Sequence, residues 1–208
     1  EMRQGRPDGW AGFGLRQPFD ALATLLWRAI QELLGRPLAA LEWLKAMART
    51  SVDAGVAPTW RAPSGFPVRQ AYTNMSTTTV RTKFGERVRW VRSKKAGDRL
   101  NKGRHVRALA ANFVHSLDAG ILARVVARLP AGTPVSTIHD SFGALAPDMP
   151  LLNRVIREEY AAVFQEDWLQ KLRDELVTNA GGRVDFPQPP ERGTLDPVRV
   201  LDSDYLFS

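Results

Sequence analysis

Among the side chains able to do chemistry, Asp140 has the most telling setting. It lies in Ile138-His139-Asp140-Ser141-Phe142-Gly143, within a stretch, residues 135–145, that reads as strand, tight turn, strand. A carboxylate at the tip of such a hairpin is rigidly presented, which suits a Mg²⁺ ligand because that ion tolerates little geometric slack. Turn chemistry alone also explains an Asp there. His139 beside it opens a second reading, the His-Asp pair of metal phosphohydrolases, which calls for further His ligands on helices. Asn112, His115 and Asp118 recur at i, i+3 and i+6. That spacing puts them along one side of a helix, as a ligand-facing row or as an ordinary polar face.

The charge of the chain is concentrated. Of 29 Lys and Arg in 208 residues, thirteen fall between positions 61 and 107, opposed there only by Glu86 and Asp98. The flanking sequence is mildly acidic, so the block reads as a phosphate-facing surface rather than as general cationic character. Arg outnumbers Lys 23 to 6, and the guanidinium fork suits phosphates and guanine edges. The absence of Cys excludes a disulfide scaffold, a Cys-ligated zinc site and thiol catalysis. No apolar run approaches the roughly 18 to 20 residues that span a membrane, so a soluble protein without a membrane partner is expected. The chain opens on Glu1 with no signal peptide after it, which suggests processing or a piece of something larger.

The elements that must position these residues follow from periodicity. Apolar residues at helical spacing predict two helices between Phe19 and Arg49, broken at Gly35-Arg36-Pro37, with Trp27 and Trp43 as core anchors. The period then falls to two. Residues 77–84 and 87–92 flank Gly85-Glu86, a pair suited to a type II′ hairpin. Val80, Thr82 and Phe84 share one face and Arg81 and Lys83 the other, giving a ribbon with one basic face, narrow enough for a DNA major groove. Residues 93–104 read as a polar, mobile tail to it. A long helix is expected over 105–129, and another from about 151 to 177. The apolar ending Tyr205-Leu206-Phe207 suggests a docked terminus. The fold class is mixed α+β and helix-rich.

The motifs resemble a known family. His139-Asp140-Ser141-Phe142-Gly143 is similar to the third catalytic motif of single-subunit, bacteriophage-type RNA polymerases, a group that includes the mitochondrial enzymes. Trp60-Arg61-Ala62-Pro63-Ser64-Gly65-Phe66-Pro67-Val68 resembles the family's Trp-x-x-Pro-x-Gly-Phe-Pro-Val stretch, and Asn112-Phe113-Val114-His115-Ser116-x-Asp118 its Asn-Phe-Val-His-Ser-x-Asp helix. Asp204-Tyr205-Leu206-Phe207-Ser208 resembles the aromatic-rich end of these polymerases, and Leu41-Glu42-Trp43-Leu44-Lys45 has a counterpart upstream. Five motifs stand in the same order over nearly the whole chain.

The resemblance implies the C-terminal part of a right-hand polymerase, the end of the fingers plus the last part of the palm. Residues 1–110 would be a fingers-like portion with a promoter-reading hairpin near 70–100. Residues 111–208 would be a palm portion with the catalytic hairpin 135–145 and a docked tail. Asp140 would be one of two aspartates holding a pair of Mg²⁺ ions, with His139 beside it in the catalytic set. His115 and Asn112 would meet nucleic acid near the growing end, and Arg81, Lys83, Arg87, Arg89 and Arg92 the promoter. Phe207 and Ser208 would support the active site. The implied partners are double-stranded promoter DNA, the template strand, the RNA product, nucleoside triphosphates and the N-terminal remainder of the polymerase. The implied compartment is the cytoplasm of a phage-infected bacterium, with the mitochondrion as alternative. The second metal-binding Asp and the nucleotide-binding helix have no counterpart here, so the chain alone is expected to be inactive. The rival reading is a non-enzymatic DNA-binding remnant or subunit.

Overall fold

The computed structural model describes residues 16–205, with side chains from Phe19 onward. The order is α1 (Arg16–Leu33), α2 (Gly35–Asp53), β1 (Thr59–Arg61), β2 (Pro67–Arg69), β3 (Thr73–Phe84), β4 (Arg87–Leu100), α3 (Lys102–Arg128), β5 (Val135–Ile138), β6 (Ser141–Ala144), α4 (Met149–Gln165) and α5 (Trp168–Asn179). Helices predominate, and the strands form three separate antiparallel hairpins, β1–β2, β3–β4 and β5–β6. This is a helix-rich mixture of α and β. The chain divides into two compact units, Glu1–Leu41 and Glu42–Ser208.

In the first unit, α1 is amphipathic, but its apolar stripe is not covered. Trp27, expected as a core anchor, is 52% exposed, and Leu22 and Leu26 are exposed with it. The helix break falls at Leu34 rather than at Gly35-Arg36-Pro37, because α2 already starts at Gly35; Pro37 is tolerated in a first turn, where no backbone donor is missed.

In the second unit, α3 is the central element. Its N-terminal half puts Leu109, Phe113 and Leu117 into a cluster with Trp43, Leu44 and Met47 of α2, Trp60 of β1, Leu172 and Leu176 of α5, and Phe186. Its C-terminal half puts Ile121 and Val125, with Leu129 just past its end, against Leu152, Val155, Ile156 and Val163 of α4. Serving two cores makes α3 unusually apolar, with an 18-residue stretch of mean hydropathy 1.3. By length and composition it could cross a membrane, which corrects the expectation that no stretch comes near that threshold; 39% of that stretch is buried against the protein, while Val114 and Val126 are exposed. Between the two clusters Gly120 allows the 62–67 loop to touch the helix. A Cβ there would lie 2.4 Å from Cδ of Pro63.

Three further expectations need correction. The helix expected over 151–177 is two helices, since Glu166 leaves helical geometry and the Asp167 side chain caps α5 by accepting from the Gln170 N–H at 3.0 Å. Residues 93–100 are strand, not tail: β4 runs to Leu100, pairing Ser93 with Thr78 and Lys95 with Ser76. Thr77, Thr78, Thr79 and Val80 on β3 supply β-branched partners for Lys94, Ser93, Arg92 and Val91. Asn101 then caps α3, accepting from the Arg104 N–H at 2.9 Å.

The ribbon also has two basic faces rather than one. Thr79 opposes Arg92, Arg81 opposes Trp90 and Lys83 opposes Val88, which puts Arg81, Lys83 and Arg92 together; Thr82 opposes Arg89 and Phe84 opposes Arg87 on the other side. Directly paired residues share a face, and the even-numbered β3 residues take odd-numbered partners across a two-residue loop. Gly85 has φ 61°, and Glu86 is not left-handed, the signs of the expected II′ turn. The tail is held through Arg157, whose Nη1 donates to the carbonyls of Val200 (2.7 Å) and Ser203 (2.5 Å). Tyr205 is nonetheless 85% exposed. Leu206, Phe207 and Ser208 lie outside the described residues, and so do the roles expected of Phe207 and Ser208.

Candidate active site

The site is built on β5–β6. Val135, Phe142 and Ala144 share the inward face, packed against the second cluster, which fixes the hairpin on α3 and α4. Gly143 lets the strands close, since a Cβ there would fall 2.6 Å from the Ser136 hydroxyl. Ile138 pairs with Ser141, so His139 and Asp140 are the two loop residues. His139 has φ 56° and is the one non-glycine residue with positive φ among those described. A side chain in that region costs of order 1 kcal/mol, and His is among the types that tolerate it. The turn thrusts Asp140 outward as an exposed carboxylate.

Opposite the turn, α3 presents His115 and Asp118, and α4 presents Tyr160. These side chains, with His139, Asp140 and the apolar Ile121, Leu122 and Phe142, line a cleft of about 590 Å³. Sequence reasoning placed His115 and Asp118 on one helix face and Asp140 in a separate turn; the fold brings all three to one cavity. Tyr160 was not anticipated. It lies on a different helix, and no local pattern marks it. Burial, reinforced by the Asp118 charge, pushes its phenol above the ordinary value of 10.0, so it is a neutral donor at physiological pH.

Asn112 points elsewhere. Its amide donates to Gln70 Oε1 (2.7 Å) and to the Tyr72 hydroxyl (3.2 Å), and it does not line the cleft. Ser116, in the same motif, accepts from Trp60 Nε1 at 2.9 Å, so the two aromatic-rich motifs are bonded to each other. Arg81, Lys83, Arg87, Arg89 and Arg92 are all exposed, and none has an ion-pair partner among the described residues. They remain available to phosphate.

Asp140 and Asp118 are hard oxygen donors, the chemistry Mg²⁺ prefers. Among the described residues no group of three or more His, Cys, Asp or Glu stands close enough to hold a metal. The donor set fits an ion that takes one or two carboxylates here and completes its shell from waters and substrate phosphates.

The comparisons agree with the geometry. The family model for DNA-dependent RNA polymerase matches residues 16–183. The chain is 33% identical over 188 residues to the DNA-directed RNA polymerase of Pseudomonas phage phiKMV, covering 89% of this chain and 22% of that one. It is 32% identical over 187 residues to DNA-directed RNA polymerase 2, chloroplastic/mitochondrial, of Arabidopsis thaliana, covering 89% and 18%. DNA-directed RNA polymerase 2A of Nicotiana tabacum is 28% identical over 187 residues, covering 89% and 55%. This chain belongs to the DNA-dependent RNA polymerase family, in its phage and organelle branch. It spans about a fifth of the length of the phage and Arabidopsis relatives.

Proposed function

We propose that the chain is the C-terminal portion of a DNA-directed RNA polymerase and supplies one of the carboxylates used in template-dependent nucleotidyl transfer. The observation that carries this reading is the meeting of Asp140, Asp118 and His115 in one cleft, on the motif that resembles the family's third catalytic motif and on the one that resembles its Asn-Phe-Val-His-Ser-x-Asp helix. In the reaction a 3′-hydroxyl attacks the α-phosphorus of a nucleoside triphosphate, a new P–O bond forms, and pyrophosphate leaves. Bound Mg²⁺ would supply Lewis acidity at the phosphate and lower the pKa of the attacking hydroxyl.

The protein's own part is to hold and to position. Asp140 would hold the ion, presented by a turn too short to swing away. His115, exposed on α3, would steady the template–product duplex from the side of the cleft. Tyr160 keeps its proton and can donate to a ribose or phosphate oxygen. The basic ribbon would engage promoter DNA. A two-ion mechanism needs a second carboxylate from the opposite side, which the remaining polymerase would provide.

Primer extension by the purified 208-residue chain, with Mg²⁺ and all four nucleotides, tests the fragment reading. No product is expected, and template-dependent product would overturn it.

A further inference from the structure

The β3–β4 ribbon lies almost wholly in solvent: from Asn74 to Ala96 every residue is exposed. Packing therefore cannot set its direction, and its orientation must be decided at its base. There the polar side chains are buried, with His105 at 0% and Gln70 at 3% exposure. Gln70 precedes β3, and its own N–H is bonded to the Pro58 carbonyl at 2.8 Å. Its Nε2 donates to the His105 carbonyl at 3.1 Å and stands 3.1 Å from His105 Nδ1. Its Oε1 accepts from Asn112 at 2.7 Å. His105 Nε2 lies 3.0 Å from the Tyr72 carbonyl.

These contacts allow one proton arrangement. A carbonyl accepts only, so Nε2 carries the hydrogen and Nδ1 accepts from Gln70. Burial first of all, aided by the Arg104 charge and opposed by the bond to Tyr72, holds His105 below its ordinary 6.5, which keeps the ring neutral. Both strands are tied in. The Tyr72 carbonyl also receives the Asn101 N–H at 2.8 Å, the Asn101 amide donates to Asn74 Oδ1 at 2.8 Å, and the Arg104 guanidinium lies 4.7 Å from the Tyr72 ring centroid. No buried side-chain polar atom among the described residues lacks a partner. A fully satisfied buried polar network is rigid and specifies one geometry.

We propose that Gln70, His105 and Asn112 form the root of the ribbon, positioning residues that hold it at a fixed angle to α3 so that a duplex on the ribbon and a strand end at the cleft stay in register. This rests on the polymerase reading. Asn112 is then a positioning residue: it acts through Gln70 and Tyr72, while His115, three residues on, faces the cleft.

The test is Asn112→Ala in the full protein, with Tyr72→Phe as a milder variant that deletes only the hydroxyl Asn112 reaches. Backbone hydrogen exchange over 73–100 is expected to quicken in Asn112→Ala. KM for promoter duplex is expected to rise about tenfold, while kcat on a pre-annealed primer–template stays within about twofold. Tyr72→Phe should move the same quantities in the same direction by less. A fall in kcat on the primer–template would put Asn112 at the reaction centre and overturn the proposal. Unchanged ribbon exchange would overturn it too, whatever the catalysis. Failure of the complete polymerase, this chain together with its N-terminal remainder and unsubstituted, to extend a primer would instead reject the polymerase reading, with exchange still judging the root.

Discussion

Glu159 holds α4 to α3 through two opposed effects. Burial disfavours its charge, but hydrogen bonds from Arg124 Nε (2.6 Å) and Arg128 Nη1 (3.0 Å), with the charges behind them, outweigh burial and hold its carboxyl below the ordinary 4.5. A depressed carboxylate stabilises the fold above its unfolded pKa, and that contribution is lost as pH falls through the folded value. Glu159→Gln should therefore lower stability near pH 7 by about 2 kcal/mol, because a buried carboxylate gives up the charge that two partly exposed arginines hydrogen-bond. The deficit should shrink as pH falls through the lowered folded value, where the wild-type carboxyl becomes protonated as well; denaturant titrations near neutrality and in acid read both. At this scale much was legible in the sequence. Asp140 and His115 declare themselves because turn chemistry and helical spacing are local. Tyr160 does not, because only the packing of α4 on α3 brings it to the cleft. Asn112 reads in sequence as a residue that meets nucleic acid, whereas the partners it has here, Gln70 and Tyr72, lie 42 and 40 positions away, beyond the reach of any local pattern.

Among the elements, the ribbon differs most from its reading in sequence. Its turn was legible in Gly85-Glu86, and the length of β4 was not, since Ser93-Lys94-Lys95 has the composition of a loop and becomes strand only by pairing with Ser76-Thr77-Thr78. Basic side chains on both faces suit a ribbon that enters a groove and meets DNA on either side. Of alanine substitutions at Arg81, Lys83, Arg87 and Arg89, read on a randomised promoter library at fixed salt, at least one should change the preferred sequence by about 1 to 3 kcal/mol of discrimination. Uniform weakening, with a salt slope reduced by about one for each substitution, would leave only a phosphate clamp. The contact of α3 with the 62–67 loop gives a second test. Gly120→Ala must displace Pro63, whose ring atoms and backbone nitrogen crowd the new Cβ, and should cost about 1 to 3 kcal/mol. Gly143→Ala meets only a hydroxyl that can rotate, and should cost less. Thermal midpoints of the two variants give the order.

For the whole molecule, the helix-rich α+β class was readable from the change of period along the chain, and the two cores were not, because α3 serves both and its apolar residues follow no single stripe. The central claim is that Asp140 serves chemistry and the ribbon serves binding, and one paired measurement separates them. In the full protein carrying Asp140→Asn, single-turnover nucleotide incorporation and duplex DNA binding are followed on the same preparation. The amide keeps the shape of the side chain and loses the charge that would hold Mg²⁺. The account predicts loss of nearly all incorporation with duplex affinity unchanged. Incorporation retained within about tenfold, equivalent to about 1.4 kcal/mol of barrier, would contradict it.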